Sequence, residues 1–272
     1  MIISASRRTD IPAFYSDSFM NALRAGFILV KNPFNFQNIS KIILSPKDID
    51  LIVFWTKDPR PLMRYLDEID GLGYKYYFQF TITPYGRDIE KNIADKNEII
   101  EAFKSLSKKI GFQKVILRYD PVLINGKYDL FFHFKAFERL IEKLSGYTQR
   151  VVFSFLDFYR KTEKNLKGGG AREITTGEMR QIAETFSNIT SKQNLSLETC
   201  AEGIDLQEFG IKHSKCIDGD LIEKILGRSI ADKNKKDDNR LYCGCMKSKD
   251  IGSYNTCRHF CLYCYANAKV NQ

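Results

Sequence analysis

The residues best equipped for chemistry stand at the end of the chain. Within Ile251–Ala268 (IGSYNTCRHFCLYCYANA), Cys257, Cys261 and Cys264 follow a CxxxCxxC spacing, just after a short run that reads as a strand end. Three thiolates on one tight loop can hold three irons of a cubane cluster and leave the fourth without a protein ligand. An open coordination position is what separates reactive metal sites from closed structural ones. Half of a zinc site, or buried thiols, would satisfy the same spacing. A cluster is the stronger reading, because seven cysteines in a chain without an export signal are more often metal ligands than disulfides.

With Tyr263 as the aromatic residue before the third cysteine, the motif resembles that of the radical S-adenosylmethionine superfamily. The resemblance implies a 4Fe-4S cluster on Cys257, Cys261 and Cys264, its unique iron chelated by the methionine end of S-adenosylmethionine. It implies reductive cleavage of that cofactor to a 5'-deoxyadenosyl radical that abstracts hydrogen from a substrate. It also implies an external one-electron donor such as flavodoxin or ferredoxin. In that superfamily the loop follows the first barrel strand, whereas here it comes last. The resemblance therefore implies a circularly permuted barrel in which Ile251–Asn255 lies beside Ile2–Ser6, a rearrangement that compact folds tolerate. Ser6, Arg7, Arg8, Thr9 and Asp10 then fall where the superfamily holds the cofactor's amino group, although no GGE-like triplet stands there. A helix cap with surface arginines is the alternative. Over about residues 1–267 the chain also resembles a bacterial family of unknown function that opens on a near-identical ISASRRTDIPAFY and closes on this loop.

Cys200, Cys216, Cys243 and Cys245 remain. Four thiolates complete a fully ligated 4Fe-4S cluster or a structural zinc site, so a second cluster is expected, with zinc and unliganded buried thiols as alternatives.

The elements that must position these thiols alternate between apolar strands and amphipathic helices. Strands are expected at Ile2–Ser6, Phe27–Val30, Leu51–Thr56, Tyr76–Thr83, Val115–Tyr119, Arg150–Leu156, Leu195–Thr199 and Ile251–Asn255. Helices are expected at Asp17–Ala25, Arg60–Ile69, Asn97–Ile110, Leu130–Leu144, Thr176–Thr190, Asp220–Leu226 and Leu262–Val270. Repeated βα units imply an α/β fold with a parallel sheet, a full or partial TIM-like barrel. Residues 1–200 would supply its units, 201–250 a cysteine-containing insert, and 251–272 the final βα unit.

Barrels of this kind collect their active residues at the C-terminal ends of strands. Gln79, Thr81 and Thr83 alternate along one strand and suggest a polar-lined cavity. Arg118 is the choice for the cofactor carboxylate, since a guanidinium matches a carboxylate in a bidentate fork; an ion pair with Asp120 is the alternative. Tyr119 and Asp120 are the catalytic candidates, and Glu198 is a candidate for ribose or substrate hydroxyls. His133, within FFHF, reads as core, and His259 as a charge near the cluster or simple loop packing.

Composition removes several function classes. No stretch approaches the ~20 apolar residues that a membrane span needs, and MIISASRRTDIP is too short in its apolar part for a signal peptide, so a cytoplasmic protein is expected. No serine-hydrolase elbow is present. Lys and Arg outnumber Asp and Glu by 42 to 33, but the excess has no dense focus, so nucleic acid is a disfavoured partner. Two further readings stay open: a zinc-stabilised nucleic-acid-binding module, and a radical enzyme acting on nucleic acid.

Overall fold

A computed structural model of the chain describes residues 1–33, 35, 37–231, 233, 235–237 and 242–267. Apolar runs with no polar alternation, such as IISA and LIVFWT, are covered on both faces and form the centre of one parallel sheet. In chain order the elements are β1 (Ile2–Ala5), α1 (Ile11–Phe14), α2 (Ser16–Ala25), β2 (Phe27–Lys31), β3 (Ile39–Ile43), β4 (Leu51–Thr56), α3 (Arg60–Met63), α4 (Leu66–Gly71), β5 (Tyr76–Thr81) and α5 (Lys96–Ile110). They continue as β6 (Val115–Val122), α6 (Leu130–Leu144), β7 (Arg150–Phe155), α7 (Arg160–Leu166), α8 (Thr176–Ser191), β8 (Ser196–Thr199), β9 (Lys212–His213), α9 (Gly219–Leu226) and β10 (Lys249–Asp250). Eight strands run parallel in the order β10-β1-β4-β5-β6-β7-β8-β9, while β2 and β3 form a separate antiparallel hairpin.

The α/β class and the parallel sheet agree with the sequence. Among the described residues β9 and β10 are the edge strands of the sheet, with no ladder between them. A single backbone bond from Met246 N to Ile217 O (3.0 Å) links the segments beside those edges.

The two ends of the chain meet. Ile3 and Ser4 pair with Lys249 and Asp250, and Ile251 N donates to Ser4 O at 3.1 Å. The strand, Lys249–Asp250, lies just upstream of the expected Ile251–Asn255, whose residues form no strand, and Asn255 adopts a left-handed φ of 61°. The expected helix at Leu262–Val270 is absent as far as Asn267, where turns replace it; residues 268–270 lie outside the described residues. The expected Arg60–Ile69 helix is two short helices, α3 and α4.

One face of the sheet packs Phe54, Phe78, Leu117, Tyr119 and Phe153 against Phe103 of α5, Phe137 of α6 and Phe186 of α8. Phe137 and Phe186 stack at 3.7 Å, and each such buried ring contributes roughly 1.5–3 kcal/mol. These helices start where their caps dictate: Asp95, Asp129 and Thr175 accept from first-turn amides. The opposite face packs Leu51, Val53, Tyr77, Ile116 and Val152 against Ile222 of α9, Ile217, Met246 and two thiols, Cys216 and Cys245. Among the described residues no helix is long and apolar enough to cross a membrane.

Candidate metal centres

Parallel strands end at a common rim, and the terminal loop is fastened across it. Glu90 and Cys261 form an antiparallel bridge, Leu262 N donates to Ile89 O (2.9 Å), and Asn92 N to His259 O (3.1 Å). On the other side Tyr265 Oη donates to Arg7 O (2.8 Å) and Tyr15 Oη to Thr256 O (2.7 Å). Asn267 Nδ2 closes the loop on Cys257 O at 2.8 Å.

A buried carboxylate anchors this end. Glu90 is 1% exposed and accepts from Lys57 Nζ (2.7 Å), Thr83 Oγ1 (2.6 Å), Lys96 Nζ and Tyr263 Oη. Burial alone would raise its pKa, but the Lys57 and Lys96 ammonium groups outweigh that cost and hold the Glu90 carboxyl down at about 2. The fully formed pairing also leaves Lys57 firmly charged, since Glu90 overcomes the burial that would neutralise it.

Asp10 plays the same part under the first cysteine. It caps α1 through Ala13 N (2.9 Å), accepts from Lys57 N (2.7 Å) and holds His259 Nε2 at 2.8 Å. Asp250 gathers the end of β1: it accepts from Ser4 Oγ (2.9 Å), Ser6 Oγ (2.6 Å), Arg7 N (2.8 Å) and Gly252 N (3.0 Å). Gly252 is needed there, since a Cβ would come within 2.1 Å of Ser6 Oγ.

Cys261 is buried, and Cys257 and Cys264 are half-buried. Burial pushes the Cys257 thiol up to about 12 and raises the other two, and neighbouring thiols add to the rise at Cys257 and Cys261. Among the described residues no hydrogen bond joins one sulfur of this triad to another, and no three His, Cys, Asp or Glu side chains are poised about a single ion. Among the described residues four buried side-chain atoms lack a partner, and three of them, His259 Nδ1, Asn267 Oδ1 and Thr9 Oγ1, lie on this loop or against it. Three soft sulfur donors beside buried polar atoms without partners are a donor set that a sulfur-ligated group would fit.

A second thiol site lies on the other face of the sheet. Cys200 Sγ and Cys216 Sγ are 3.5 Å apart, Cys216 and Cys245 share one buried cluster, and Cys200 and Cys243 pack against it. Arg118 Nη1 donates to Cys216 Sγ (2.9 Å) and Gln79 Oε1 (3.3 Å), while Gln79 Nε2 holds Cys216 O (2.8 Å). The Arg118 guanidinium forks onto Asp120 Oδ2, whose other oxygen accepts from Ser154 Oγ, and lies 5.3 Å above the Trp55 ring. Hydrogen bonding to Cys245 lowers the Cys243 thiol to about 7.

The structure sorts the residues read from the sequence. Cys257, Cys261, Cys264 and Tyr263 share the loop, with Ser6, Arg7 and Arg8 bordering it; Arg8 sits 5.3 Å from the Tyr254 ring. Arg118, Gln79 and Asp120 gather at the second site with Cys200, Cys216, Cys243 and Cys245. Arg118 thus has both the Asp120 partner foreseen as the alternative and a thiol partner that was not foreseen. Tyr119 faces the helices instead, its Oη 2.8 Å from His133 Nδ1 in the core. Glu198 pairs with Arg150, and Thr81 is half-buried on the strand that carries Gln79. Asp10 is the helix cap foreseen as the alternative for its segment. Sequence reading passed over Glu90, Asp250 and Glu202. The first two are single acids in a polar loop and at a short strand. Glu202 accepts from Phe155 N (3.0 Å), and burial lifts its carboxyl to about 8.

Two surface clefts of about 500 and 280 Å³ open at the opposite rim, around Val115, Arg150 and Ser196 and around Met1, Ile2 and Asp50, and neither touches a thiol. A family model described as "Domain of unknown function (DUF1848)" matches residues 2–266. No curated protein matches the chain.

Proposed function

Because the chain belongs to the DUF1848 family, whose description assigns no reaction, we propose a function from the site itself: a radical S-adenosylmethionine enzyme with its cluster on Cys257, Cys261 and Cys264. Once bound, the cluster and cofactor supply reductive cleavage of a carbon–sulfur bond and hydrogen abstraction from a substrate, with the electron coming from a donor such as flavodoxin or ferredoxin.

The observation that carries the reading is the anchoring of the loop. A spacing that leaves one iron open is fastened at the C-terminal rim of a parallel sheet, where α/β folds gather their reactive groups, beside three buried polar atoms with no partner. The chain's own residues then have separate tasks. Glu90 and Asp10 fix the loop from beneath through Tyr263 and His259. Lys57, held charged between Glu90 and Thr83, presents a fixed cation near Cys261. Ser6–Arg8 border the loop, where the amino and carboxylate groups of the cofactor would approach. Cys200, Cys216, Cys243 and Cys245 form a second thiolate metal centre with no open position.

Anaerobic iron and sulfide counting, with a 5'-deoxyadenosine assay after dithionite reduction, tests the reading. The wild-type chain should form deoxyadenosine. Replacing Cys257, Cys261 and Cys264 together by Ala should abolish that product and remove about four irons per chain. Continued cleavage by the triple variant eliminates the assignment. A colourless wild-type protein holding zinc at the triad would support the zinc-stabilised module instead.

A further inference from the structure

Resting on the reading of Cys257, Cys261 and Cys264 as the reactive centre, we propose that the outer surface of the terminal loop binds single-stranded nucleic acid as the substrate. The excess of Lys and Arg has no focus along the sequence, and the fold supplies one. Residues 251–267 contain Arg258 and no acid. The acids that meet the loop turn inward and are spent on hydrogen bonds: Asp10 to His259, Glu90 to Tyr263 and Asp250 to Gly252 N. The loop therefore shows solvent only positive charge. Lys161 and Arg258 are exposed and have no ion pair among the described residues, and Arg8 has only Asp250 at 3.9 Å. Helix α7, joined to the loop by Asn165 Nδ2 to Asn267 O (3.5 Å), carries Arg160, Lys161 and Lys164 against one acid, Glu163.

Aromatic rings are interleaved with these cations. Tyr254 is exposed, with the Arg8 guanidinium 5.3 Å and the Lys161 ammonium 5.7 Å from its ring centroid. Tyr15 has the Arg258 guanidinium 5.9 Å from its ring, and its Oη donates to Thr256 O (2.7 Å), the residue before Cys257. Tyr265 is also exposed and is pinned by its own hydroxyl to Arg7 O at 2.8 Å. Tyr15 and Tyr265 are thus oriented before any ligand arrives, which lowers the ordering cost of stacking on them.

The combination selects the ligand. A single strand offers phosphates to the cations and unstacked base faces to the rings, and this pairing binds strands without reading their sequence. A duplex keeps its base faces covered and offers the rings nothing to stack on. A membrane surface fits less well: the exposed large side chains of the loop are tyrosines, and among the described residues no exposed Leu, Ile or Phe of the loop stands ready to enter the acyl layer. Tyr254 with Arg8 and Lys161 is one station and Tyr15 with Arg258 another, both near Cys257, so the ligand is a strand longer than one nucleotide.

Fluorescence anisotropy of a labelled single-stranded oligonucleotide of about 12 nucleotides, titrated with the anaerobically purified full chain, tests the surface. Phosphate contacts from Arg8, Lys161 and Arg258, at about 0.7 each, give an expected slope of roughly −2 for log affinity against log salt. Lys161→Gln combined with Arg258→Gln should flatten the slope to about −0.7. Tyr254→Ala should weaken binding about fivefold or more, and Tyr254→Phe, which keeps the ring, should restore it. Lys224→Gln, in the cleft at the opposite rim, should leave the affinity unchanged. The proposal is overturned if the strand does not bind, if a mononucleotide competes as well as the strand, if the loop variants bind like wild type, or if Lys224→Gln weakens binding equally. Binding to anionic phospholipid vesicles with none to the strand overturns it in favour of a membrane surface. A wild-type chain that forms deoxyadenosine without binding the strand sinks this proposal alone, whereas one that binds the strand and forms no deoxyadenosine sinks the functional reading and leaves the surface standing.

Discussion

The two thiol sites are built in opposite ways. Cys257, Cys261 and Cys264 lie on one loop, within eight residues, and the fold's task is to hold that loop still. Cys200, Cys216, Cys243 and Cys245 come from three separated segments and meet only because the sheet brings its two edges together. The first site is anchored by a carboxylate, Glu90, the second by a guanidinium, Arg118. The contrast shows which site can fail locally and which fails with the fold: loss of Glu90 frees a loop, while loss of the quartet's contacts opens a sheet.

Glu90→Gln is the strongest way to break that comparison. It leaves Lys57 and Lys96 without their buried counter-charge, which costs about 3–5 kcal/mol, read as a fall in the urea midpoint. If the sites are separate, the triad's iron should be lost while the quartet's metal stays; loss of both together would contradict the separation. In the wild type the Glu90 pairing contributes stability above the usual carboxyl value near 4.5 and loses it as pH falls through about 2. Acid should therefore release the terminal loop first.

Arg118→Met probes the other anchor. Asp120 and the Cys216 sulfur lose a buried cation, at a cost of about 3 kcal/mol. Adding Asp120→Asn should recover about half of that loss by removing the stranded carboxylate. A double variant no better than Arg118→Met would show that Asp120 is not the uncompensated partner.

Much of this was legible in the sequence, and what was missed has a common cause. Alternating apolar runs gave the parallel sheet because burial on both faces leaves no room for polar alternation, as in LIVFWT. The triad was legible because its three thiols are close in sequence. The meeting of the two ends was expected from the position of the cysteine loop, but the pairing strand is Lys249–Asp250 rather than Ile251–Asn255. Glu90 was invisible because a lone acid in YGRDIEKN reads as a solvated loop residue, and only the fold brings Lys57, Lys96 and Tyr263 onto it. Arg118 was singled out as a carboxylate binder, and nothing local to LRYDP shows that a thiol 98 residues away takes its Nη1 instead. A full and a partial barrel read alike in the sequence, because strand periodicity reports burial and cannot report whether the outermost edges pair.

Gly252→Ala sharpens the comparison at the join between the two sites. The added methyl meets Ser6 Oγ at 2.1 Å and Ser6 Cβ at 2.6 Å, on the backbone that leads from β10 into the cysteine loop. Overpacking of this kind costs about 1–3 kcal/mol. The smaller Ser6→Gly partner should relieve the clash, so the double variant should be more stable than Gly252→Ala alone in a urea titration. If the pair is merely additive, the contact does not limit the join.

The smallest effect concerns pH, and it separates the two ends from the alkaline side. Burial raises the Glu202 carboxyl to about 8, next to Asp120 and Cys200 at the quartet's end of the sheet. A carboxyl raised on folding contributes stability below its unfolded value near 4.5 and loses it as pH climbs to about 8. Glu202→Gln cannot ionise, so its stability relative to wild type should rise by about 1–2 kcal/mol between pH 5 and pH 8.5, a figure reduced for the solvent that reaches a half-buried group. Urea midpoints at the two pH values measure the change. Hydrogen exchange locates it: Phe155 N, which donates to Glu202 in the folded protein, should exchange faster in the wild type as pH rises, beyond the intrinsic base-catalysed rate. The amides of Leu262 and Asn92, which fasten the terminal loop above Glu90, should instead gain excess exchange only toward acid. Parallel behaviour of the two sets would mean that the ends unfold as one unit, and the separation drawn between the triad and the quartet would fall.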